Sequence, residues 1–369
     1  MGRAPAFPGQ ARCGGGLEPS VAAARGGGRP LTHNAVHQEL QAVMARLRQL
    51  AQEGQREEFA GYLQQVLRRY GKDDEALMRL ARFCQKQGWH GGFELFMTRL
   101  AARMPSSRPG ILLTLGEHLL TAGRQRGFEH LRQAAAAALE HPDEEMLQRI
   151  LRAAAQRLRE RDDWEEAVEQ FPPEVRGDLY LELAGLWGTA EPEKAWRAYR
   201  RGLRNKPDAL PGEPLAAVAA AYARRVAATE PERAIASLLW AAERVDDPKL
   251  VAQAAAIALR AGDKEQALRL SRQAARRLPE DLDNLGRLAA LQAEAGEWGA
   301  VAALAPAIAV AVSRLNPWQR EDHVATVELA LEACLRTGQD AQARAVVEQV
   351  GLPRAWRERW EARLTGRRL

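Results

Sequence analysis

The chain has 369 residues, of which 46% are hydrophobic, and it carries a formal net charge of +5. Ala and Leu dominate the apolar share and no alternating β-branched runs occur, so the composition favours helix throughout and argues against a β-rich domain. The three cysteines, Cys13, Cys84 and Cys334, are odd in number and far apart, which implies no disulfide framework.

The longest apolar run, residues 300–312, contains Pro306 and is shorter than the ~20 residues that cross a bilayer. The N-terminus has no continuous apolar stretch typical of a secretory signal. We therefore expect a soluble, cytoplasmic chain without membrane insertion.

Arginine dominates the positive charge, since only six of the 53 basic residues are Lys. Two explanations remain open. The codons of a GC-rich genome favour Arg together with Ala, Gly and Pro. Alternatively, the guanidinium group is selected because it binds carboxylates and phosphates with two parallel hydrogen bonds.

Residues 1–34 contain two glycine triplets and several prolines, without a periodic apolar pattern. Such a segment buries too little apolar surface to offset its ordering entropy, so a disordered N-terminal tail is predicted. A tail, an organelle transit peptide and a start codon placed too far upstream are the three interpretations. His33 and His37 are four residues apart, but no third ligand lies nearby, so no metal site is expected there.

From about residue 36, apolar residues recur at helical spacing, and helix pairs follow one another. The first turn of each pair is marked by Gly, Asp or Pro at Gly54, Gly88, Gly123, 162–163, 190–192, 229–231, Gly262, Gly296 and Gly338. Prolines end most second helices, at Pro105, Pro142, 172–173, Pro207, Pro248, Pro279 and Pro353. The pattern predicts about nine helix pairs over residues 35–353 and a capping helix in 354–369.

The chain also repeats itself about every 34 residues, as the spacing of Gly262 and Gly296 shows. The best copy begins at Leu250 and places Ala267 and Ala274 seven residues apart, on one helical stripe. Small side chains there let the two helices of a pair approach closely. One pair leaves its other face bare, so a stack of pairs is required.

These residues resemble the tetratricopeptide repeat (TPR) family. Its signature of a small residue, Gly-Asp, Ala, Ala and Pro corresponds here to Ala255, Gly262-Asp263, Ala267, Ala274 and Pro279. Partial copies cover most of residues 40–350. The resemblance implies an all-α, helix-turn-helix repeat solenoid, a TPR-like superhelix, in which the first helix of each pair lines a concave groove. An irregular helical bundle is the alternative fold.

The groove positions of that family correspond to basic residues in this sequence. The candidate partner-binding residues are Arg48, Arg79, Arg82, Lys86, Arg149, Arg152 and Arg159. A basic groove could hold an acidic segment or a terminal carboxylate through bidentate hydrogen bonds. The alternative is an ordinary solvated helix surface, in which local partners such as Glu75 and Glu160 neutralise these side chains.

No catalytic motif is present: the sequence has no phosphate-binding glycine loop, no Cys-x-x-Cys and no His-Glu-x-x-His. Cys84 follows Leu80 on an apolar stripe, which predicts a buried and unreactive thiol. His118, His130 and His141 are interpreted as ordinary surface or packed residues. No enzymatic activity, cofactor or metal is therefore predicted.

The predicted function is a non-enzymatic protein–protein interaction scaffold that holds a protein or peptide, of acidic character, in its groove. The alternative is a helical-repeat nucleic-acid-binding protein that uses Arg along the groove. Against it, aromatic residues do not alternate with Arg at one position per repeat, as base-by-base recognition requires. Near the C-terminus, Trp356 and Trp360 lie four apart on one face, and we expect them to cap the last repeat.

Overall fold

A computed structural model describes residues 33–141 and 143–366 of the chain. The segment 1–34, predicted as a disordered tail, lies outside the described residues except for His33 and Asn34. These two residues begin the first helix, so the boundary drawn after residue 34 falls inside its first turn. Pro142, predicted to end a second helix, also lies outside the described residues.

The described residues form twenty α-helices and no β-strand. The helices are α1 His33–Gln52, α2 Arg56–Tyr70, α3 Asp74–Lys86, α4 His90–Arg103, α5 Arg108–Thr121, α6 Gly127–Glu140, α7 Glu144–Leu158, α8 Trp164–Glu169, α9 Pro173–Trp187, α10 Pro192–Asn205, α11 Gly212–Val226, α12 Pro231–Val245, α13 Pro248–Arg260, α14 Lys264–Arg277, α15 Leu282–Glu294, α16 Trp298–Ser313, α17 Pro317–Arg320, α18 Val324–Arg336, α19 Asp340–Val350 and α20 Arg354–Leu364. Two 3-10 turns, Pro105–Ser107 and Glu321–His323, precede α5 and α18.

Consecutive helices pack as pairs, and each pair packs on the next. Thus α13 packs on α14 within a pair, while α14 and α13 both contact α15 of the following pair. The first helices are α1, α3, α5, α7, α9, α11, α13, α15 and α18, and each is followed by its second helix. This arrangement confirms the predicted all-α solenoid of helix pairs.

Glycines in the left-handed backbone region end six of the first helices. Gly54, Gly88, Gly123, Gly262, Gly296 and Gly338 all have φ between 70° and 87°. A side chain on Cβ disfavours this conformation, whereas glycine adopts it without steric cost. The glycine period read from the sequence therefore marks the turn that reverses the chain between the two helices of a pair.

Aspartates begin several helices, a signal that the sequence analysis did not use. At the start of α3, the Asp73 carboxylate accepts a hydrogen bond from the backbone N–H of Ala76 at 3.0 Å. Asp143, Asp247, Asp263 and Asp281 cap α7, α13, α14 and α15 in the same way. Each cap satisfies a backbone donor that the helix leaves free, and so fixes where the helix starts.

The small-residue stripe lies where two helices meet. Ala267 and Ala274 on α14 have no solvent-exposed surface, and neither does Ser271 between them. The Ser271 carbonyl accepts a hydrogen bond at 3.0 Å from the Asn284 side chain, which is also fully buried on α15. Close packing of α14 on its neighbours thus depends on the small side chains that the repeat pattern predicted.

The pair α7–α8 departs from the others because its second helix has only six residues. Pro172 and Pro173 follow directly and prevent α8 from continuing. Large aromatic side chains fill the space instead. The rings of Trp164 and Trp187 meet edge to face with centroids 4.7 Å apart, and both side chains are almost completely buried.

Candidate functional site

Neighbouring first helices pack side by side along much of the solenoid. Contacts join α5 to α7, α7 to α9, α11 to α13, α13 to α15 and α15 to α18. We call the solvent-exposed residues of the first helices the first-helix face. It is the surface on which the sequence placed the candidate partner-binding residues.

A cavity of about 1210 Å³ opens on the first-helix face beside α3, α5 and α7. Three methionines line it: Met78 on α3, Met97 on α4 and Met146 on α7. They are half of the six methionines in the chain. Phe93 and Ile111 complete its apolar wall. We call this feature the Met cavity. Because thioether side chains are flexible and polarizable, they can adapt to apolar groups of different shape.

The cavity is open because α3 and α5 do not pack closely, and the turn Pro105–Ser107 lies between their pairs. Gly110, near the start of α5, also lines it. A Cβ atom at Gly110 would stand 3.4 Å from the Cε atom of Met146, so any larger side chain there would enter the cavity. The amino-acid sequence gives no signal for this cavity, because its methionines belong to different pairs and show no common spacing.

Two predicted residues, Arg82 and Lys86, extend from α3 at the cavity's edge. Arg82 lines the cavity, and Lys86 lies one helical turn further along the same face. Both are exposed, and no carboxylate of the described residues lies within 4.0 Å of either cation. On the opposite side, exposed Arg149 follows Met146 by three residues on α7 and likewise has no ion pair with a described residue. The carboxylate of Asp143, which accepts a hydrogen bond from the Met146 N–H, also lines the cavity, so the lining carries charges of both signs. We call Arg82, Lys86 and Arg149 together the basic rim.

Three other predicted residues are already engaged within the chain. Arg79 contacts Glu75 at 2.5 Å, one turn before it on α3. The Arg48 guanidinium lies 5.0 Å from the centroid of the Phe83 ring, and Arg152 approaches Glu182 of α9 at 3.9 Å. Because their charges have internal partners, these side chains are less free to bind a ligand than those of the basic rim.

Arg159, the seventh predicted residue, lies at the C-terminal end of α7. It lines a separate cavity of about 790 Å³ with Glu160, Glu191 and Lys194. The structure thus does not bring all seven predicted residues together. Arg82 lines the Met cavity, Lys86 and Arg149 follow lining residues on α3 and α7, and Arg159 lies apart.

Basic residues elsewhere commonly form ion pairs with a carboxylate on another helix, in the same pair or in the next one. Arg103 contacts Asp74 at 2.5 Å, and Lys264 contacts Glu294 at 2.7 Å. These partners are 29 and 30 residues apart, close to one repeat length. Further contacts of this kind join Lys206 to Asp178, Arg225 to Glu193 and Arg277 to Asp246. These ion pairs join different helices of the solenoid, whereas Arg82, Lys86 and Arg149 form no ion pair with a described residue.

One further cation on the first-helix face, Arg287, was not among the predicted residues. Arg287 on α15 is half-buried and donates to the Ala252 carbonyl and to the Asn284 side chain, both at 3.1 Å. Burial lowers the pKa of its guanidinium from the ordinary value. The hydrogen bond to Ala252 joins α15 to α13, so Arg287 has a structural role where the pairs meet.

The described residues contain no group of three or more His, Cys, Asp and Glu side chains that could hold a metal ion. Cys84 is completely buried, and burial raises the pKa of its thiol to about 12. This agrees with the predicted unreactive thiol, since the thiolate is the reactive form. Among the same residues, none of the helices has the length and apolar character needed to cross a bilayer.

No protein-family model matches the chain, and no curated protein matches it. Solved structures do. Yeast Tom70 is 11% identical, with 89% of this chain and 96% of that chain covered and a TM-score of 0.24. A tetratricopeptide repeat protein from Parabacteroides merdae is 17% identical, with 80% and 99% covered and a TM-score of 0.24. The TPR domain of P58(IPK) is 14% identical, with 89% and 98% covered and a TM-score of 0.22.

The TPR-like character of the chain is visible in its own helix pairs. They have the repeat length of about 34 residues, the glycine at the turn within the pair, and the small residues on the second helix. The resemblance read from the sequence therefore holds in the structure.

Proposed function

We propose that this protein is a non-enzymatic scaffold that binds an acidic segment of a partner protein on its first-helix face. The observation that carries the proposal is the basic rim. Arg82 lines the open Met cavity, Lys86 and Arg149 follow lining residues on α3 and α7, and none of the three has an ion pair with a described residue. A partner segment that brings carboxylates to this rim would supply the missing counter-charges.

An apolar cavity with charged edges is a better binding site for a peptide than an ordinary solvated helix surface is. The Met cavity offers apolar area, and the rim offers hydrogen-bond donors that fix the orientation of a bound segment. Arg48, Arg79 and Arg152 support the site by packing against α3 and α9 or by pairing with local carboxylates. Arg159 contributes only if the bound segment extends to the far end of α7.

The placement of the large apolar side chains favours a protein partner over single-stranded nucleic acid. Proteins that bind single strands stack bases on accessible aromatic rings. Among residues 37–141 and 143–366, the exposed large hydrophobic side chains are Leu210 and Trp318, and neither lies on a first helix. The described first-helix face therefore offers charge without a row of exposed rings.

The test reverses the charges of the basic rim. The variant carries Arg82→Glu, Lys86→Glu and Arg149→Glu, and its matched control carries Arg204→Glu, Arg269→Glu and Arg276→Glu. The control residues are exposed, lie on second helices and have no ion pair with a described residue, so both variants undergo the same change in net charge. A partner recovered from the native lysate with the wild-type protein provides the ligand.

Reversal of the rim should weaken partner binding at least about 30-fold, which corresponds to about 2 kcal/mol. The control variant should bind as the wild type does, and circular dichroism should show equal helix content for all three. Affinity measured at two salt concentrations adds a second criterion. If the rim variant binds the partner as tightly as the wild type at both salt concentrations, the basic rim is not the binding site. If the recovered partner is a nucleic acid whose affinity falls steeply with salt concentration, the ligand is nucleic acid and not a protein segment.

A further inference from the structure

Two histidines from neighbouring helix pairs face each other with their ring nitrogens. The Nδ1 atom of His90, on α4, lies 3.1 Å from the Nε2 atom of His118, on α5. The ring centroids are 5.1 Å apart, so the nitrogen edges are the closest parts of the two rings. Both side chains are half-buried and keep access to solvent. Two nitrogens that can each offer a lone pair are thus held together where α4 packs on α5.

The distance between these nitrogens suits a shared metal ion as well as a hydrogen bond. Zinc binds histidine nitrogen at about 2.0–2.1 Å. Two nitrogens at that distance from one ion, and 3.1 Å from each other, subtend an angle of about 100° at the ion. This angle lies between the octahedral and the tetrahedral value, and the d electrons of Zn²⁺ impose no geometry of their own. The pair can therefore bind an ion with only a small movement of the rings.

Packed elements hold both rings in place before any ion binds. The His118 ring meets the buried Phe93 ring edge to face, with centroids 4.5 Å apart. His90 is the first residue of α4, and its backbone N–H donates to the Gly88 carbonyl in the turn after α3, at 3.1 Å. Because the two ligands are already arranged, little side-chain entropy is lost when an ion binds.

The carboxylate nearest in the sequence is engaged elsewhere. Glu94 follows His90 by one turn on α4, and it contacts the buried His130 of α6 at 3.2 Å. The described residues therefore supply two protein ligands, and water completes the coordination. Most zinc sites have three or four protein ligands, so the affinity should be lower than that of a structural site.

We propose that His90 and His118 together form a binding site for a divalent late transition-metal ion such as Zn²⁺. Neutral imidazole is a preferred ligand of these ions. On binding, one ring moves the proton from its facing nitrogen to its outer nitrogen, so that both facing nitrogens offer a lone pair. The ion joins α4 of one pair to α5 of the next, behind the Phe93 wall of the Met cavity. Residue spacing carries no signal for this site, because the two histidines are 28 positions apart on different helices.

Isothermal titration calorimetry of Zn²⁺ into the purified full chain measures the site. The protein carries no histidine tag and is freed of metal with a chelator beforehand. His90→Gln and His118→Gln each remove one ligand and keep a polar side chain. His37→Gln and His141→Gln are the controls, because both of these histidines are exposed and lie on other helices or at their ends. Circular dichroism checks that all variants have the helix content of the wild type.

We expect the wild type and both controls to bind one Zn²⁺ per chain with a Kd between about 1 and about 100 µM. Binding should be at least tenfold weaker in His90→Gln and in His118→Gln. Absence of one-to-one binding by the wild type would overturn the inference. Wild-type affinity in either ligand variant, or loss of binding in either control, would overturn it equally.

Urea unfolding provides a second readout that does not depend on the heat of binding. An ion that binds the folded chain raises the urea concentration at the midpoint of unfolding. Zn²⁺ should therefore raise the midpoint of the wild type and of His141→Gln, and should leave that of His118→Gln almost unchanged. An equal shift in the wild type and His118→Gln would show that the ion binds elsewhere and would overturn the assignment.

Discussion

The Nδ1 atom of His90, at the start of α4, lies 3.1 Å from the Nε2 atom of His118 on α5. One imidazole can donate to the other only while at least one of the two nitrogens carries no proton. The His118 ring also meets the edge of Phe93, with ring centroids 4.5 Å apart, and Phe93 lines the Met cavity. Charge on this histidine pair is therefore placed next to the candidate site.

The histidine pair should make stability depend on pH. Burial lowers the pKa of His118 from its ordinary value of 6.5, and the neighbouring His90 lowers it further. The folded protein then takes up this proton less readily than the unfolded chain. The free energy of unfolding should have its full value above pH 6.5. It should fall as the pH drops through that value towards the lower pKa of the folded state.

Urea unfolding at about pH 7.5 and about pH 5.5 measures this effect. His118→Gln keeps a polar side chain without a titrating ring and should show a smaller loss of stability on acidification than the wild type. The matched control is His141→Gln, because His141 is exposed and lies at the end of α6. An equal pH dependence in the wild type and His118→Gln would show that the pair does not control acid stability.

The small-residue stripe makes a second prediction. Ala267 is completely buried on α14, so Ala267→Leu adds three carbon atoms where two helices meet and should cost roughly 1–3 kcal/mol of unfolding free energy. Gln266 is turned about 100° around the same helix and is partly exposed. Gln266→Leu is therefore the control and should change stability far less. Equal stability of Ala267→Leu and the wild type would contradict the repeat register.

Much of the fold could be predicted from the sequence, because each repeat carries its own local signals. Glycines with φ of 87° and 76° occur at Gly262 and Gly296, the positions that defined the period. The site was less predictable. Arg79 and Arg82 lie one turn apart on α3, yet Glu75 binds Arg79 whereas Arg82 faces the cavity. Which of two neighbouring cations is free depends on side-chain geometry that residue spacing does not determine.

The Met cavity could not be predicted for a related reason. Met78, Met97 and Met146 come together because α3 and α5 stand apart and α7 packs beside α5. Distances between first helices depend on the packing of whole pairs, including the 3-10 turn before α5. No single residue in the sequence marks such a gap.

A polar network on the short α8 makes a third prediction. The Glu165 carboxylate lies 2.6 Å from Arg201 and 3.3 Å from Arg197, both on α10. It therefore joins α8 to α10 of the next pair by ion pairs, in addition to the buried ring of Trp164. Glu165→Ala would leave Arg197 without a carboxylate and Arg201 with only the more distant Glu169 at 3.8 Å, and it should cost roughly 1–3 kcal/mol. Thermal unfolding followed by circular dichroism measures the loss.

Glu166 provides the matched control for Glu165. It is the next residue on α8, is exposed, and has no ion pair with a described residue. Glu166→Ala removes the same negative charge from the same helix turn and should stay within about 0.5 kcal/mol of the wild type. If the two alanine variants lose equal stability, the effect comes from α8 in general rather than from the contacts with α10.

The last prediction concerns Glu328 on α18, which receives the C-terminal helix. Its Oε1 atom accepts hydrogen bonds from the indole N–H of Trp356 at 3.0 Å and of Trp360 at 3.5 Å, and Arg359 also contacts it. Both tryptophans are buried, with 9% and 2% of their surface exposed. Glu328 is thus the main polar contact that fixes α20 against the end of the solenoid, and Glu332 adds an ion pair with Arg363 at 2.9 Å.

Glu328→Ala should release α20 before the rest of the chain unfolds, because the terminal helix has neighbours on one side only. Hydrogen exchange should then become faster in residues 354–364, and tryptophan fluorescence should shift to longer wavelength while α13 and α14 keep their protection. Glu358→Ala is the control, since Glu358 is exposed and pairs with Arg354 on α20 itself. Uniformly faster exchange throughout the chain in Glu328→Ala would show that α20 unfolds together with the whole solenoid. Unchanged exchange in α20 would show that burial of the two indole rings is enough to hold the helix without the carboxylate.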